Sequence, residues 1–385
     1  MSDERRHVVV VGGGIAGVAA AWAAQRAGAR VTLLHGAAGA SALYSGALDF
    51  GAKPSERIVS ELAHFATALG CWSYGGGPYR IATETGLCRS VHGRDSALLD
   101  LEPLAGSRIG VVGALHSSWN AALVARQLGA SSWAQQTGTE FVVLPAPDLL
   151  ATDELAVPVY DLAARFDAPQ RLQALCAILE KARGDASALL LGPWLGLAMD
   201  VAQQATQTLG IPVGESTSAP GGVAGARFER ARDRLLQASA IEARTGPVQR
   251  VSAESGGFSV GFGSEDISAE AVVLAIGGVA AGGILLDDAR PEHPGGACFH
   301  ASLQAPVTLE LDGKPVERVS TLHGVDFCLA GLGTLERVGI AQRRGKTQEP
   351  GLFVAGDCAA GAPRSALEAA HSGIRAGVLA AARPA

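Results

Sequence analysis

HVVVVGGGIAGVAAAWAAQRAGARVTLLH, residues 7–35, decides the fold. Val8 to Val11 are four β-branched residues in a row, the pattern of a strand buried on both faces of a parallel sheet. Gly12-x-Gly14-x-x-Gly17 follows at once. That spacing is the dinucleotide fingerprint. Gly12 allows the tight turn, Gly14 lets the backbone approach a pyrophosphate, and Gly17 permits close packing of helix on strand. The helix that follows is rich in small residues and opens at Ile15 and Ala16, whose N–H groups are offered to phosphate. Gly28 stops it, and Val31 to Leu34 form the next strand. A glycine triplet alone is weak evidence. Set in strand–turn–helix–strand order, it predicts an α/β, Rossmann-like nucleotide-binding fold.

One residue of the pattern is missing. An acid at the end of the second strand ordinarily binds the adenosine ribose. Here His35 stands in that place, and no carboxylate occurs until Asp49. Either the ribose is held in another way or the adenosine half matters less, so the reading stays open between FAD and FMN.

The rest of the composition sets bounds. A chain of 385 residues is too long for one small core and predicts two domains, or one domain with a large insertion. Hydrophobic residues make up 48% and charged residues 18%, as in a globular protein. The 50 glycines are nearly double the usual share of about 7%. A formal charge of −6 and an aromatic share of 5% give no sign of nucleic-acid binding. Cysteines at 71, 88, 176, 298, 328 and 358 form no CxxC pair and no zinc spacing. An iron–sulfur cluster or other metal centre on this chain is therefore not expected, and scattered cysteines fit a reducing cytoplasm. Arg5 and Arg6 before an uncharged stretch imitate a secretory signal, but the glycines that interrupt it fit a strand, turn and helix better. No segment reaches the length of about 20 apolar residues needed to span a bilayer. Any membrane contact is expected to be peripheral.

The far end of the chain, GLFVAGDCAAGAPRSALEAAHSGIRAGVLAA (351–381), reads as a short strand ending at Ala355, then Gly356-Asp357, a loop, and a helix from about Ser365. This order resembles flavoproteins of the glutathione-reductase-like group. The resemblance implies that the Asp357 carboxylate accepts hydrogen bonds from the ribityl chain. It also implies that the closing helix turns its positive end to the pyrimidine side of the isoalloxazine, where reduction places negative charge. Between the two ends lies AEAVVLAIGGVAAGG (269–283), a buried strand followed by a glycine turn at Gly277, similar to the segment that passes beneath the dinucleotide in such proteins.

GASALYSGALDF (39–50) is more specific. In flavoproteins similar to fumarate reductase, a segment rich in serine and glycine after the second strand passes the isoalloxazine. That places Ser41, Ser45 and Gly46 at the ring. The progression Ser-Ala-Leu, Ser-Gly, Leu-Asp resembles the smaller flavoprotein subunit of anaerobic glycerol-3-phosphate dehydrogenase. SAPGGVAGARFERARDRLL (218–236) looks like that family's proline–glycine turn and amphipathic helix. DAPQRLQALCAILEKAR (167–183) looks like its mid-chain helix. The resemblance implies a flavin-dependent oxidoreductase that passes electrons from glycerol 3-phosphate towards a quinone. It implies partners too: a larger flavoprotein subunit and an iron–sulfur subunit, with the assembly at the inner face of the cell membrane. Two alternatives remain: a stand-alone dehydrogenase or reductase of the fumarate-reductase-like group, and a flavin electron-transfer subunit without a substrate site.

The fingerprint and the closing motif must meet in space. The flavin-binding domain is therefore expected to be discontinuous, built from residues 1–80, 225–290 and 345–385. An inserted α+β cap or substrate domain takes 81–224 and 291–344. RIGVVGAL, EFVVLP and LAVPVY read as strand-like runs within it, and 168–183 as a helix. If glycerol 3-phosphate is the donor, a base must take the hydroxyl proton and a cation must hold the phosphate. His371 and Arg364, both in the closing segment, are the catalytic candidates. His300, His323 and Arg227 are further candidates, each with a structural role as the plain alternative. GIAQRRGKT (339–347) imitates a P-loop, but five residues separate its glycines where four are needed. No second GxGxxG occurs, which argues against a two-dinucleotide reductase.

Overall fold

The structure is a computed structural model that describes residues 5–36, 39–50, 55–198, 200–287, 296–315, 319–320 and 337–383. The chain divides into two compact units. One comprises Met1–Ser41, Phe50–Leu62 and Arg234–Ala385, the other Ala42–Asp49 and Ala63–Asp233.

In the first unit the valine run is the middle strand of a five-stranded sheet. Its order is Glu242–Thr245, Arg30–His35, His7–Val11, Ala271–Leu274, Leu352–Val354. Every pairing is parallel, with Val8 opposite Val31 on one side and Ala271 on the other. Val8, Val9 and Val10 are fully buried. Alternate side chains leave opposite faces of a strand, and here both faces are covered. Val8 and Val10 pack with Leu33, Val273 and the alanines of two helices, Ile15–Arg26 and Ala366–Ala381. Val9 and Val11 pack with Val251, Phe258 and Val260 of a three-stranded antiparallel sheet, Val248–Glu254, Gly257–Phe262 and Glu265–Ala269. Full burial of such a side chain contributes about 1.5–3 kcal/mol, so the run anchors both layers at once.

The second unit carries its own sheet. Glu140–Pro145, Arg108–Gly113, Ala188–Leu191 and Val213–Glu215 lie in that order, again all parallel. Helices Ala121–Gly129, Val159–Phe166, Pro169–Ala182 and Val201–Leu209 return the chain between strands. Their apolar faces close a separate core around Ile109, Val111, Leu162, Leu179 and Leu190. An antiparallel ribbon, Ala47–Leu48, Cys88–Asp95 and Trp72–Ala82, completes the unit.

The boundaries differ from those expected. Residues 42–49, 63–80 and 225–233, expected with the flavin-binding pieces, group with the inserted unit, where Ala47–Leu48 and Trp72–Ala82 both pair with Cys88–Asp95. The described part of 291–344, expected with the cap, groups with the first unit. There Val251 N–H bonds Gln304 O at 2.7 Å, and Leu309 pairs with Ile340. LAVPVY (155–160) is not a strand. Pro158 lacks a ladder N–H and instead caps the helix Val159–Phe166. The two short strands Ala188–Leu191 and Val213–Glu215 were not foreseen.

Candidate nucleotide site

The three fingerprint glycines have distinct steric reasons. Gly12 has φ +118°, and a Cβ there would stand 2.1 Å from the Ala275 carbonyl oxygen. A Cβ on Gly17 would stand 1.8 Å from the Gly12 carbonyl oxygen, so the helix starts pressed onto its own turn. A Cβ on Gly14 would meet Ser41 Oγ at 2.9 Å. Gly14 is the N-cap of the helix Ile15–Arg26, and no side chain on Gly14 serves the helix end. Ser41 does so from the next loop: Ile15 N–H donates to its Oγ at 2.9 Å. A hydroxyl that accepts in this way still has a proton to donate. Ser41 therefore stands at the N-terminus of the fingerprint helix.

The closing motif reaches the same helix. Gly356 has φ +71°, and a Cβ there would stand 2.6 Å from the Ala16 side chain. Gly356 N–H donates to Ser372 Oγ at 2.8 Å, tying the Gly-Asp turn to the helix that follows. Cβ atoms on Gly373 and Gly377 would each stand 2.2 Å from a backbone oxygen, of Ala16 and Ala20 respectively. The closing helix and the fingerprint helix thus touch backbone to backbone. Gly277 has φ +82°, and a Cβ on its neighbour Gly278 would stand 2.7 Å from the Asp357 carbonyl oxygen. Gly12, Gly14, Ile15, Ala16, Gly17, Ser41, Gly277, Gly356 and Asp357 are thereby joined around one helix N-terminus, where amides and dipole favour an anion. Cys358, fully buried behind the turn, has its thiol pushed up to about 11 by burial.

Ser45 and Gly46 belong to the second unit, and there Gly46 has its own reason to be glycine. Its φ is +103°, and a Cβ would stand 2.9 Å from Leu98 and 3.4 Å from Asp95. His35, at the position of the missing acid, has Nε2 3.3 Å from Thr245 Oγ1. A Cβ on Gly13 would stand 2.6 Å from its Cβ, so the ring is seated against the turn. Asp49 does not substitute for the acid: it pairs with Arg89 and His92 inside the second unit.

The catalytic candidates are placed less simply. Arg364 donates Nη1 to the carbonyl oxygen of Asp357 and Nη2 to that of Val338 at 3.3 Å, with the Asp357 carboxylate 4.0 Å away. It braces the Gly-Asp loop. His371 is half-buried. Burial and the neighbouring Arg375 lower its pKa, against a smaller opposing pull from Glu61. His371 is therefore a neutral imidazole near pH 7. Ser365 caps the closing helix, accepting from Glu368 N–H at 3.2 Å, and Glu368 sits in the first turn. His300 Nδ1 lies 3.0 Å from the Ala301 carbonyl oxygen, on the rim of a cavity of about 1220 Å³ that also touches Arg250 and Asp266. No fingerprint or Gly-Asp residue lines that cavity. Arg227 is buried in an ion cluster of the second unit. His323 lies outside the described residues. Sequence reading missed Ser372 and the glycine pair of the closing helix, although Gly373-x-x-x-Gly377 is a visible signal for close helix contact.

The second sheet also reverses its strand order, between Arg108–Gly113 and Ala188–Leu191, the usual place for a ligand in such sheets. Trp194, fully buried, meets Trp119 edge-on there with ring centres 5.9 Å apart. Gly192 before it leaves no room for a side chain against the Trp194 ring.

The family model for glucose inhibited division protein A matches residues 7–71. No curated protein matches the chain. Among solved structures, 3-ketosteroid delta1-dehydrogenase from Sterolibacterium denitrificans in complex with 1,4-androstadiene-3,17-dione is 11% identical, with 97% of this chain and 99% of that chain covered at a TM-score of 0.39. CtdE in complex with FAD is 10% identical, with 98% and 84% covered at 0.38. Peptidyl tryptophan dihydroxylase QhpG is 14% identical, with 92% and 61% covered at 0.30. The chain spans 59–63% of the length of three of the solved structures it matches. At such scores these likenesses carry no weight beside the chain's own geometry, which is an α/β fold with a parallel sheet and a folded dinucleotide fingerprint.

Proposed function

We propose that the chain is a flavin-dependent oxidoreductase with FAD as its cofactor. One observation carries this reading: the fingerprint turn and the closing Gly356-Asp357 turn, far apart in sequence, meet at Ala16 on a single helix N-terminus. The fit is steric, since the glycines leave a backbone surface where any Cβ would intrude. Gly12, Gly14, Gly17 and Ser41 hold the pyrophosphate. Asp357, steadied by Arg364, offers its carboxylate to the polyol chain. His35 and Thr245 stand where the adenosine ribose is held. When bound, the flavin supplies the two-electron acceptor. The protein's part is to orient the cofactor and to keep the Gly-Asp loop in register.

Glycerol 3-phosphate is the substrate we take forward, on the resemblance of residues 39–50 to the smaller flavoprotein subunit of the anaerobic dehydrogenase. The larger flavoprotein and iron–sulfur partners and a peripheral place at the membrane come with it. Among the described residues no helix is long and apolar enough to cross a membrane. A second reading, an electron-transfer subunit without a substrate site, draws support from Arg364, whose guanidinium binds two main-chain carbonyls. The test begins with an absorbance spectrum of the purified chain, then release and chromatography of the flavin. FAD is expected, and FMN or no flavin after reconstitution refutes the cofactor. Anaerobic bleaching of the bound flavin by glycerol 3-phosphate then separates enzyme from electron carrier.

A further inference from the structure

Within the second unit the chain enters the helix Val223–Ala238 through SAPGG, residues 218–222. Gly222 N–H donates to the Ala219 carbonyl at 3.0 Å, and Gly221 has φ +76°. Proline at the second position and a positive φ at the third mark a type II turn. Pro220 and Gly221 are exposed, so the turn is open to solvent on that side. The turn folds Ser218 back over the helix end. A Cβ on Gly222, the residue before the first helical one, would stand 3.0 Å from Ser218 Oγ.

The first N–H groups of any helix lack intrahelical partners. Here the first bond across the entry runs from Ala226 N–H to the Gly222 carbonyl at 3.4 Å. Val223, Ala224 and Gly225 are left with orphan donors at the positive end of the dipole of a helix of 16 residues. No acid in the first turn offsets that charge. Ser218 Oγ lies where a capping oxygen belongs, yet it closes on none of these donors. Ser218 is 4% exposed, and its Oγ is buried without a hydrogen-bond partner, a costly state for a hydroxyl. The Ala42 carbonyl oxygen stands on the flank of the helix, 2.2 Å from where a Cβ on Gly225 would be. An acceptor in that place keeps an anion to the other side, at Val223 and Ala224.

From this geometry we infer that Ser218 and the N–H groups of Val223 and Ala224 form a binding site for the phosphate group of a phosphate monoester. Two amides and one hydroxyl suit a tetrahedral oxyanion, whose oxygens accept from several donors at once. The helix fixes the amides. The turn fixes the serine, whose N–H also donates to the Ser45 carbonyl at 3.1 Å, so little order is lost on binding. Arg227, further along the helix, is committed to Asp95 and Glu215, so the helix end takes the part that a cation was expected to play. That glycerol 3-phosphate is the monoester rests on the function proposed above. That the helix end takes a phosphate does not.

The test is hydrogen–deuterium exchange of the full chain at one pH, with glycerol 3-phosphate, inorganic phosphate or glycerol added. Both phosphates should protect the amides of residues 223–225. Glycerol, which carries no anion, should not. The amides of residues 121–123 are the internal control, because that helix end is already served: Leu123 N–H donates to Asn120 Oδ1 at 2.9 Å. Ser218→Ala should weaken the affinity read from the protection titration about tenfold or more, as for a lost hydrogen bond to a charged group. Val223→Pro removes one of the two amides at the first helical position, where proline is favoured, and should weaken it likewise. If neither variant folds, the wild-type profile decides. No protection by either phosphate overturns the site, and protection by inorganic phosphate alone overturns the monoester. Equal protection at residues 121–123 would mean an adventitious ion only and also overturns the site, as does undiminished affinity in both variants. Protection by glycerol 3-phosphate without bleaching of the bound flavin keeps the site and removes that monoester as electron donor.

Discussion

Gly17 is a residue whose side chain is excluded by its own turn. A Cβ would lie 1.8 Å from the Gly12 carbonyl oxygen, a fixed main-chain atom. Gly17→Ala should destabilise the chain by about 1–3 kcal/mol, the usual cost of overpacking, and should lower flavin content in the purified protein. Gly39→Ala is the control. Nothing stands within 4 Å of a Cβ at Gly39, so urea midpoints should separate the two variants. If both unfold at the wild-type midpoint, the steric reading of the fingerprint is wrong. Cys358 gives a second test at this scale. Its thiol, pushed up to about 11 by burial, should resist alkylation in the folded chain near pH 8 and react on unfolding. Labelling at the same rate in both states would contradict its placement. The fingerprint was legible because its sterics are local: Gly12 and Gly17 constrain each other across five residues. Gly46 was not. The atoms that demand glycine there belong to Leu98 and Asp95, and no local pattern announces a contact that distant.

Two of the long helices were legible from their periodicity. The helices Pro169–Ala182 and Ala366–Ala381 carry enough turns to show a periodicity and lie within a residue or two of expectation. Ala188–Leu191 and Val213–Glu215, at four and three residues, are too short for any period, and their partners fix them instead. LAVPVY misled for the converse reason. Its unbroken apolar run suits a strand, but Pro158 withholds the hydrogen bond a strand needs. The contact between the closing helix and the fingerprint helix depends on small residues spaced one turn apart. Gly373 and Gly377 face Ala16 and Ala20, and any larger side chain would push the helices apart. Gly377→Leu should therefore lower stability by about 1–3 kcal/mol, occasionally more, and release flavin by shifting the Gly356 turn away from Ala16. Alanine at exposed Val378 should do neither. Equal midpoints for Gly377→Leu and the wild type in chemical unfolding would refute backbone-level packing.

The whole molecule is governed by having two cores. The first unit draws strands from both ends of the chain, so its completion waits on the closing strand and helix. The second is continuous from Ala63 to Asp233 apart from one short segment, Ala42–Asp49. A discontinuous nucleotide domain followed from the two terminal motifs, since a fingerprint and a Gly-Asp turn serve one ligand only if they meet. The exact cuts did not follow, because they depend on which edge each ribbon strand pairs with. The separate cores lead to a further prediction. Four of the five tryptophans, Trp72, Trp119, Trp133 and Trp194, lie in the second unit, and Trp22 lies in the first. In a Trp22→Phe chain, fluorescence then reports the second unit alone, while far-ultraviolet circular dichroism reports both. Cores that do not share residues open as separate cooperative units, so the two signals should trace different urea transitions. Adding Gly377→Leu, which weakens only the first core, should move the circular-dichroism transition to lower urea and leave the fluorescence midpoint in place. Two signals that stay superimposed through both substitutions would mean that the chain unfolds as one body, and the division into two cores would have to be abandoned.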